Sequence, residues 1–425
     1  MLGNVVMSVT EIDTVVVGAG QAGIATSEHL SAHGIEHVVF ERDRIAESWR
    51  TKRWDSLVAN GPAWHDRFPA LEFKEQSGEA FVPKNAVVSY FEDYVTLIKA
   101  PVRCGVDVTH VKRDNAFGGF NVTTTSGRYR AKHIVAATGA FQTPVMPPII
   151  PEDAGLQQMH SADYRNPEQL REGAVLVVGA GSSGAQIAQE LMESGRKTYI
   201  SISPHDRPPR RYRDRDNVWW LGVLGKWEMP TPAPGTEHVT FAVSGQGGGH
   251  TIDFRKFAAS GMVLLGMTHA YENDVLTFAD DLQDNIAHGD KNYLSVLEEA
   301  DEFVRLNNLD LPKDPEARKT WPDPECLKDP IHALDLVKEN ITSIIWATGY
   351  KLDFSWLDIG EYDARGRPLH SRGISNEPGL YFVGLPWLSR RGSSFIWGVW
   401  HDAKFIADQI AIQQAYLDYR PPLER

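Results

Sequence analysis

Two stretches of the chain combine the residue types that handle phosphate. Thr14–Val17 runs into Gly18-Ala19-Gly20-Gln21-Ala22-Gly23, and Val175–Val178 runs into Gly179-Ala180-Gly181-Ser182-Ser183-Gly184. In a G-x-G-x-x-G element the first glycine makes a tight turn, the second lets the backbone approach a pyrophosphate, and the third lets a helix pack on its strand. The helix that starts there turns its unpaired N–H groups and positive dipole end toward the phosphates. A lone motif carries little weight, but each copy here has a β-branched or aliphatic run before it and a helix-like stretch after it. In the second copy Gly184, Ile187, Ala188 and Leu191 fall on one helical face. The chain is therefore read as holding two dinucleotide sites.

The strand after each motif separates the ligands. Val38-Val39-Phe40 forms a second strand ended by Glu41, with Arg42 next to it. A carboxylate at that place accepts hydrogen bonds from the ribose hydroxyls of an adenine nucleotide and repels a 2′-phosphate. The matching strand after the second motif, Tyr199–Ser203, has no acid at its end. Ser201 and Ser203 stand there instead, followed by His205, Arg207, Arg210 and Arg211. Hydroxyls with arginines suit a 2′-phosphate, because guanidinium pairs with phosphate in a bidentate fork. The expectation is FAD at the first site and NADPH at the second. Two further runs, at 134–137 and 344–347, end in Thr138-Gly139 and Thr348-Gly349. Glycine there lets backbone pass close to a dinucleotide.

These elements imply an α/β fold of two Rossmann-like dinucleotide-binding domains, the NADPH domain inserted into the FAD domain. The division expected is 1–168 with 330–425 for FAD and 169–329 for NADPH, the latter carrying an extra helical and Pro-rich segment from about 280. A length of 425 residues fits two to three domains. The net charge of −13 and the lack of a long basic run argue against nucleic-acid binding. No apolar stretch is long enough for a membrane span. Residues Met1–Val9 lack the build of a signal peptide, and two cysteines, Cys104 and Cys326, fit a reducing compartment, so a cytoplasmic enzyme is expected. No His-x-x-x-His or Cys-x-x-Cys pair suggests a metal site. A redox-active cysteine pair, as disulfide reductases need, is also missing from the sequence.

The whole pattern resembles the flavin-containing monooxygenases, a branch of the class B flavoprotein monooxygenases. The resemblance covers both glycine motifs, Glu41, Ala347-Thr348-Gly349-Tyr350 and Tyr381-Phe382-Val383-Gly384 … Asp402-Ala403. It extends to Ser48-Trp49-Arg50 and Ser56-Leu57-Val58-Ala59-Asn60. By resemblance Ser48 and Trp49 touch FAD, and Ala59, Val108 and Gly384 join the cofactor contacts. Asn60 lies between flavin and nicotinamide and is the catalytic residue expected to hold the oxygen adduct; by itself, an amide before Gly61-Pro62 is also an ordinary turn residue. The family's F-x-G-x-x-x-H-x-x-x-Y/F element is half met: His160 and Tyr164 match, while Ala154 and Leu156 replace its first two residues. Tyr164 tilts toward heteroatom oxidation, since a Trp there marks the Baeyer–Villiger branch.

The resemblance implies that NADPH reduces FAD, that reduced FAD and O₂ give a flavin hydroperoxide, and that one oxygen passes to a small N- or S-containing substrate. The alternatives are Baeyer–Villiger oxidation of a carbonyl, or a flavin reductase that passes electrons to another acceptor. The last helix, starting near Ser394-Phe395, is expected to aim its dipole at the flavin. Trp64, Trp397 and Trp400 are candidates for an apolar wall of the substrate pocket, each also readable as a core aromatic. The Gly245–His250 tract with Asp253 and Arg255 departs from the family and either shapes a pocket or serves structure. Substrate identity is not encoded in any charge constellation, and a homodimer is left open.

Overall fold

The computed structural model describes residues 9–74, 76–232 and 240–420. The expected leader-free tail falls almost wholly outside them. The first motif folds as β1 (Val9–Val17), α1 (Gln21–Ala32) and β2 (His37–Glu41). After a loop-rich excursion come α2 (Lys84–Ile98) and β3 (Val102–Cys104). A meander of β4 (Val108–Asp114), β5 (Gly119–Thr124) and β6 (Gly127–Ala136) comes after them. The second sheet is built from β7 (Gln157–His160) and β8 (Ala174–Val178), α3 (Ser182–Glu193) and β9 (Thr198–Ser201). Next come the short α4 (Asn217–Val223), β10 (Val263–Leu265), the long α5 (Leu282–Asn307) and β11 (Ile341–Trp346). The chain then returns to the first sheet with β12 (Leu380–Phe382) and closes with α6 (Ile396–Asp418).

In the first sheet β12, β6, β1, β2 and β3 lie side by side and parallel, and β4 and β5 extend it as an antiparallel meander from β6. The strand period of two sends Val16, Val39 and Val135 to one face, under α1, α2 and α6. It sends Val15, Val17, Val38 and Ile134 to the other, against the meander. This explains why β1 reads as an unbroken aliphatic run: both of its faces are buried. The second sheet is all parallel in the order β7-β11-β8-β9-β10.

The nested connection is present, but its borders need correcting. Residues 157–160 and 341–346, expected in the first domain, pair in parallel within the second sheet on either side of the fold's entry and exit. The two crossovers run together as a ribbon, with Tyr350–Lys351 antiparallel to Thr143–Pro144. The inserted domain is thus everything between those two segments, wider than 169–329. The extra helix α5 has a clear structural task. Its Leu297, Ala300 and Val304 bury against Tyr212 and Trp220, propping the segment that carries α4.

Candidate active site between two nucleotide loops

The first glycine loop is shaped by contact rather than by propensity alone. A Cβ on Gly23 would lie 1.8 Å from the Gly18 carbonyl oxygen, and Gly18 itself holds φ +105 against the Ala137 carbonyl. The helix therefore seats on its strand only with glycine at both places. Beside Gly20 there is open space, and α1 has no side-chain cap. Its first-turn N–H groups remain available to a phosphate. Parallel pairing of Val17 with Phe40 brings Glu41 to this loop, where its carboxylate accepts the N–H groups of Ala19 (2.8 Å) and Asp43 (3.0 Å). Arg42 points away into solvent. Gln21 donates to the Ser394 carbonyl (2.6 Å), and a Cβ on Gly384 would strike Ala22. The start of α6, capped by the exposed Phe395, is thereby held against the first loop.

The second loop repeats this construction. A Cβ on Gly184 would lie 1.9 Å from the Gly179 oxygen, and Gly179 packs on the Ala347 carbonyl. Helix α3 starts after Gly181 without a side-chain cap; Ser182 donates to the Phe241 carbonyl, and Ser183 is half-buried. The turns Thr138-Gly139 and Thr348-Gly349 both have positive-φ glycines facing open space. His160 and Tyr164 brace this region instead of lining it. His160 Nε2 bonds the Gly349 carbonyl (3.0 Å) and the Tyr164 hydroxyl donates to Glu190 of α3 (2.8 Å). Burial pushes the His160 imidazole below its usual pKa.

The two domains meet at Asn60, in the short strand Val58–Pro62. Its amide oxygen accepts from Gln186 of α3 (2.9 Å), which also donates to Val243 (2.7 Å). Its carbonyl accepts from Arg210 (2.7 Å). Gly245 and Gly249 let the glycine-rich tract press on the Ala59 carbonyl and the Phe81 ring, where any Cβ would clash. That tract is a packing device for the Asn60 strand. Trp49 bridges the cores of both domains, Ser48 is exposed, and Val108 is buried in β4.

The arginine expectation is corrected for two of its three members. Arg207 is buried and bonded to Asp290, with Asp253 3.7 Å away. Arg210 is buried against Asp216 and over the Phe81 ring. Both charges are matched by carboxylates inside the protein, where no phosphate can reach them without unpairing a buried ion. Arg211 is exposed, and the Ser203 side chain is half-exposed. Sequence reasoning missed two cations that have no ion pair among the described residues. Arg53 lies 4.8 Å from the Phe141 ring, beside the Thr138-Gly139 turn, and 5.8 Å from the Trp49 ring, and donates to the Lys52 carbonyl (2.9 Å). Arg391 reaches from the first domain to the Phe241 ring, 5.1 Å away, beside the start of α3. Burial lowers both guanidinium pKa values from their ordinary position.

A cavity of about 350 Å³ opens at the same junction. Trp64 and His65 supply one wall, Val218, Trp219 and Val223 of α4 another, and Trp227 and Trp397 close it. Trp400, expected here, is elsewhere. Its indole donates to Glu28 (2.8 Å) and packs edge-on to His29, fastening α6 to α1.

The loops, the acidic strand end and the uncapped helices define a two-dinucleotide oxidoreductase. Comparison with known proteins agrees. A family model described as pyridine nucleotide-disulphide oxidoreductase matches residues 15–217. A CzcO-like oxidoreductase of Geobacillus kaustophilus is 32% identical over 404 residues, covering 94% of this chain and 98% of that protein. The probable indole-3-pyruvate monooxygenase YUCCA1 of Arabidopsis thaliana is 31% identical over 192 residues, 44% of this chain and 46% of that protein. Among solved structures, a flavin-containing monooxygenase from Stenotrophomonas maltophilia superposes with TM-score 0.66 at 17% identity, over 96% of this chain and 99% of that one. The chain belongs to the family of the CzcO-like oxidoreductases and shares the fold of flavin-containing monooxygenases, and its cofactors are FAD and NADPH. Its two cysteines are free, one in each domain, so the disulfide chemistry in the family model's description has no dithiol here. No helix among the described residues is long and apolar enough to cross a membrane.

Proposed function

We propose that this enzyme is an FAD- and NADPH-dependent monooxygenase that places one atom of O₂ on a small N- or S-containing substrate. The observation that carries this reading is the position of Asn60: its amide is tied to the helix of the second glycine loop while its strand packs into the first domain. Asn60 thus stands between the helix of the second loop and the core on which the first loop is built. Hydride acceptance and O₂ activation are chemistry that the bound flavin supplies.

The residues fit that cofactor. The Gly18–Gly23 loop and the start of α1 would hold its pyrophosphate, and Glu41 its ribose. Gly179–Gly184 and the start of α3 would hold the pyrophosphate of NADPH, with Arg391 beside it. The chain's own work is orientation and exclusion of water. Gln186 and Arg210 fix the Asn60 amide and backbone, and the Asp66 carboxylate accepts the Gly61 N–H (3.0 Å). The dipole of α6, starting beside the first loop, favours negative charge on a reduced ring system. A cytoplasmic location and a small-molecule substrate belong to the same proposal.

The test is turnover under ¹⁸O₂ with a panel of amines, sulfides and ketones. One labelled atom in an N- or S-oxide product, with one NADPH consumed per product, is expected. Stoichiometric hydrogen peroxide with every compound would refute the reading, and labelled ester from a ketone alone would replace it with carbonyl insertion.

A further inference from the structure

Two elements singled out in the sequence end on one carboxylate. Glu190 stands half-buried on α3, and each of its oxygens takes one hydroxyl donor. Ser56, at the head of Ser56-Leu57-Val58-Ala59-Asn60, donates to Oε1 (2.6 Å), and Tyr164 donates to Oε2 (2.8 Å). Ser56 is exposed, whereas Tyr164 is fully buried in the core of the second domain, in one cluster with Trp54 and Leu57. Further bonds fasten the same two segments to each other. The Asp55 N–H donates to the Arg165 carbonyl (2.8 Å), and the Asn166 amide donates to the Asp55 carboxylate (2.8 Å).

Gln186 lies one helical turn before Glu190, on the same side of α3, and holds the Asn60 amide (2.9 Å). The two attachments are therefore about 6 Å apart along the helix axis. One attachment would let the Ser56–Asn60 segment pivot about it; two set its direction as well as its place. The buried Tyr164 hydroxyl steadies the carboxylate that makes the second attachment. With only an exposed serine to bind, a half-buried glutamate would keep its rotamer freedom.

We propose that Glu190 is a positioning residue: it clamps the Ser56–Asn60 segment to the helix of the second glycine loop and so keeps Asn60 and the two nucleotides in the alignment that hydride transfer needs. In that transfer NADPH gives one hydride, a proton with two electrons, to FAD, leaving NADP⁺ and FADH⁻. The inference rests on the proposed seating of FAD and NADPH on the two loops and uses no later oxygen step.

Hydrogen exchange of peptides spanning residues 56–61, read by mass spectrometry on the FAD-loaded protein without NADPH, tests the clamp directly. Anaerobic flavin reduction at saturating NADPH, NADP⁺ binding by calorimetry and thermal melting accompany it. Ser56→Ala removes one arm at an exposed position. It should speed exchange and slow the limiting reduction rate by about threefold each, with melting unchanged. Glu190→Leu is made in a Tyr164→Phe background and compared with Tyr164→Phe alone, so that no buried hydroxyl is left without an acceptor; both effects should reach about tenfold. NADP⁺ affinity should stay within about twofold in every variant, because residue 190 lies about 12 Å along α3 from the loop. Glu190→Gln should recover most of both effects, its amide oxygen accepting from Tyr164 and its NH₂ donating to Ser56. If melting falls while exchange and reduction keep their original values, Glu190 only satisfies the Tyr164 hydroxyl and the proposal fails. If reduction slows only in step with weaker NADP⁺ binding, Glu190 acts on affinity and the proposal fails as well. An unsubstituted protein that NADPH does not reduce would remove the cofactor seating, and the exchange data, taken without NADPH, would still decide whether Glu190 holds the segment. Normal reduction followed only by hydrogen peroxide with every substrate would remove the oxygenation reading and leave the Glu190 result intact.

Discussion

Replacing Gln186 by Leu isolates the link between the two domains. The substitution keeps the side chain's bulk in α3 and removes two donated hydrogen bonds, 2.9 Å to Asn60 and 2.7 Å to Val243. The Val243 carbonyl is buried and loses its donor, at about 1–3 kcal/mol. Asn60 is only half-buried, so water restores much of its loss. The expected destabilisation is therefore about 2 kcal/mol, seen as a lower melting temperature. The functional effect has a different origin. Freed from Gln186, the Asn60 amide samples several rotamers, and small misplacements of a group at a reacting centre can cost up to about 100-fold. A tenfold fall in product formed per NADPH, the rest appearing as hydrogen peroxide, is the expected outcome. A double-mutant cycle with Asn60→Ala separates the two effects. If Gln186 acts through Asn60, its effect on coupling disappears in the Asn60→Ala background, while its effect on melting persists in part. Equal coupling in parent and Gln186→Leu, or full additivity in the cycle, would refute the reasoning.

Gly184→Ala places a methyl group 1.9 Å from the Gly179 oxygen; α3 must shift, and NADPH affinity should fall at least tenfold with FAD content unchanged, as measured by cofactor titration. Arg391→Met should raise the KM for NADPH in initial-rate measurements, because the guanidinium lies over the Phe241 ring, whose carbonyl accepts from Ser182 at the start of α3. Arg207→Met should lower the melting temperature by removing one of the two buried arginine partners of Asp290, Arg255 being the other, without changing the NADPH-to-NADH preference. Burial depresses His205 from 6.5 to about 4. The unfolded chain then binds a proton that the folded one refuses, so this stability is full above pH 6.5 and drains as pH falls toward 4. At about 1.4 kcal/mol per pH unit the loss approaches about 3 kcal/mol, and His205→Phe should flatten that limb of a melting-temperature profile.

The two nucleotide loops were legible in the order of residues alone. Their logic is local: a strand, three glycines and a helix succeed one another within a short stretch, and the first and third glycines answer contacts that any chain of this pattern must make. Glu41 is legible for the same reason, because strand pairing fixes its distance from the loop. The last helix was readable too, since Val399, Ala403, Ile406 and Ile410 share a face and all are buried. Folding in three dimensions settled the remainder. Arg207 and Arg210 look like phosphate ligands until Asp290, far along the chain, and Asp216 are folded onto them. Trp400 differs from Trp397 by less than one helical turn, yet one faces Glu28 and the other the cavity. Gln186 and Glu190 carry no motif at all. Their meaning comes from which amide, carbonyl and hydroxyl groups arrive beside them, and such long-range partners are set by packing between domains, which no window of sequence contains.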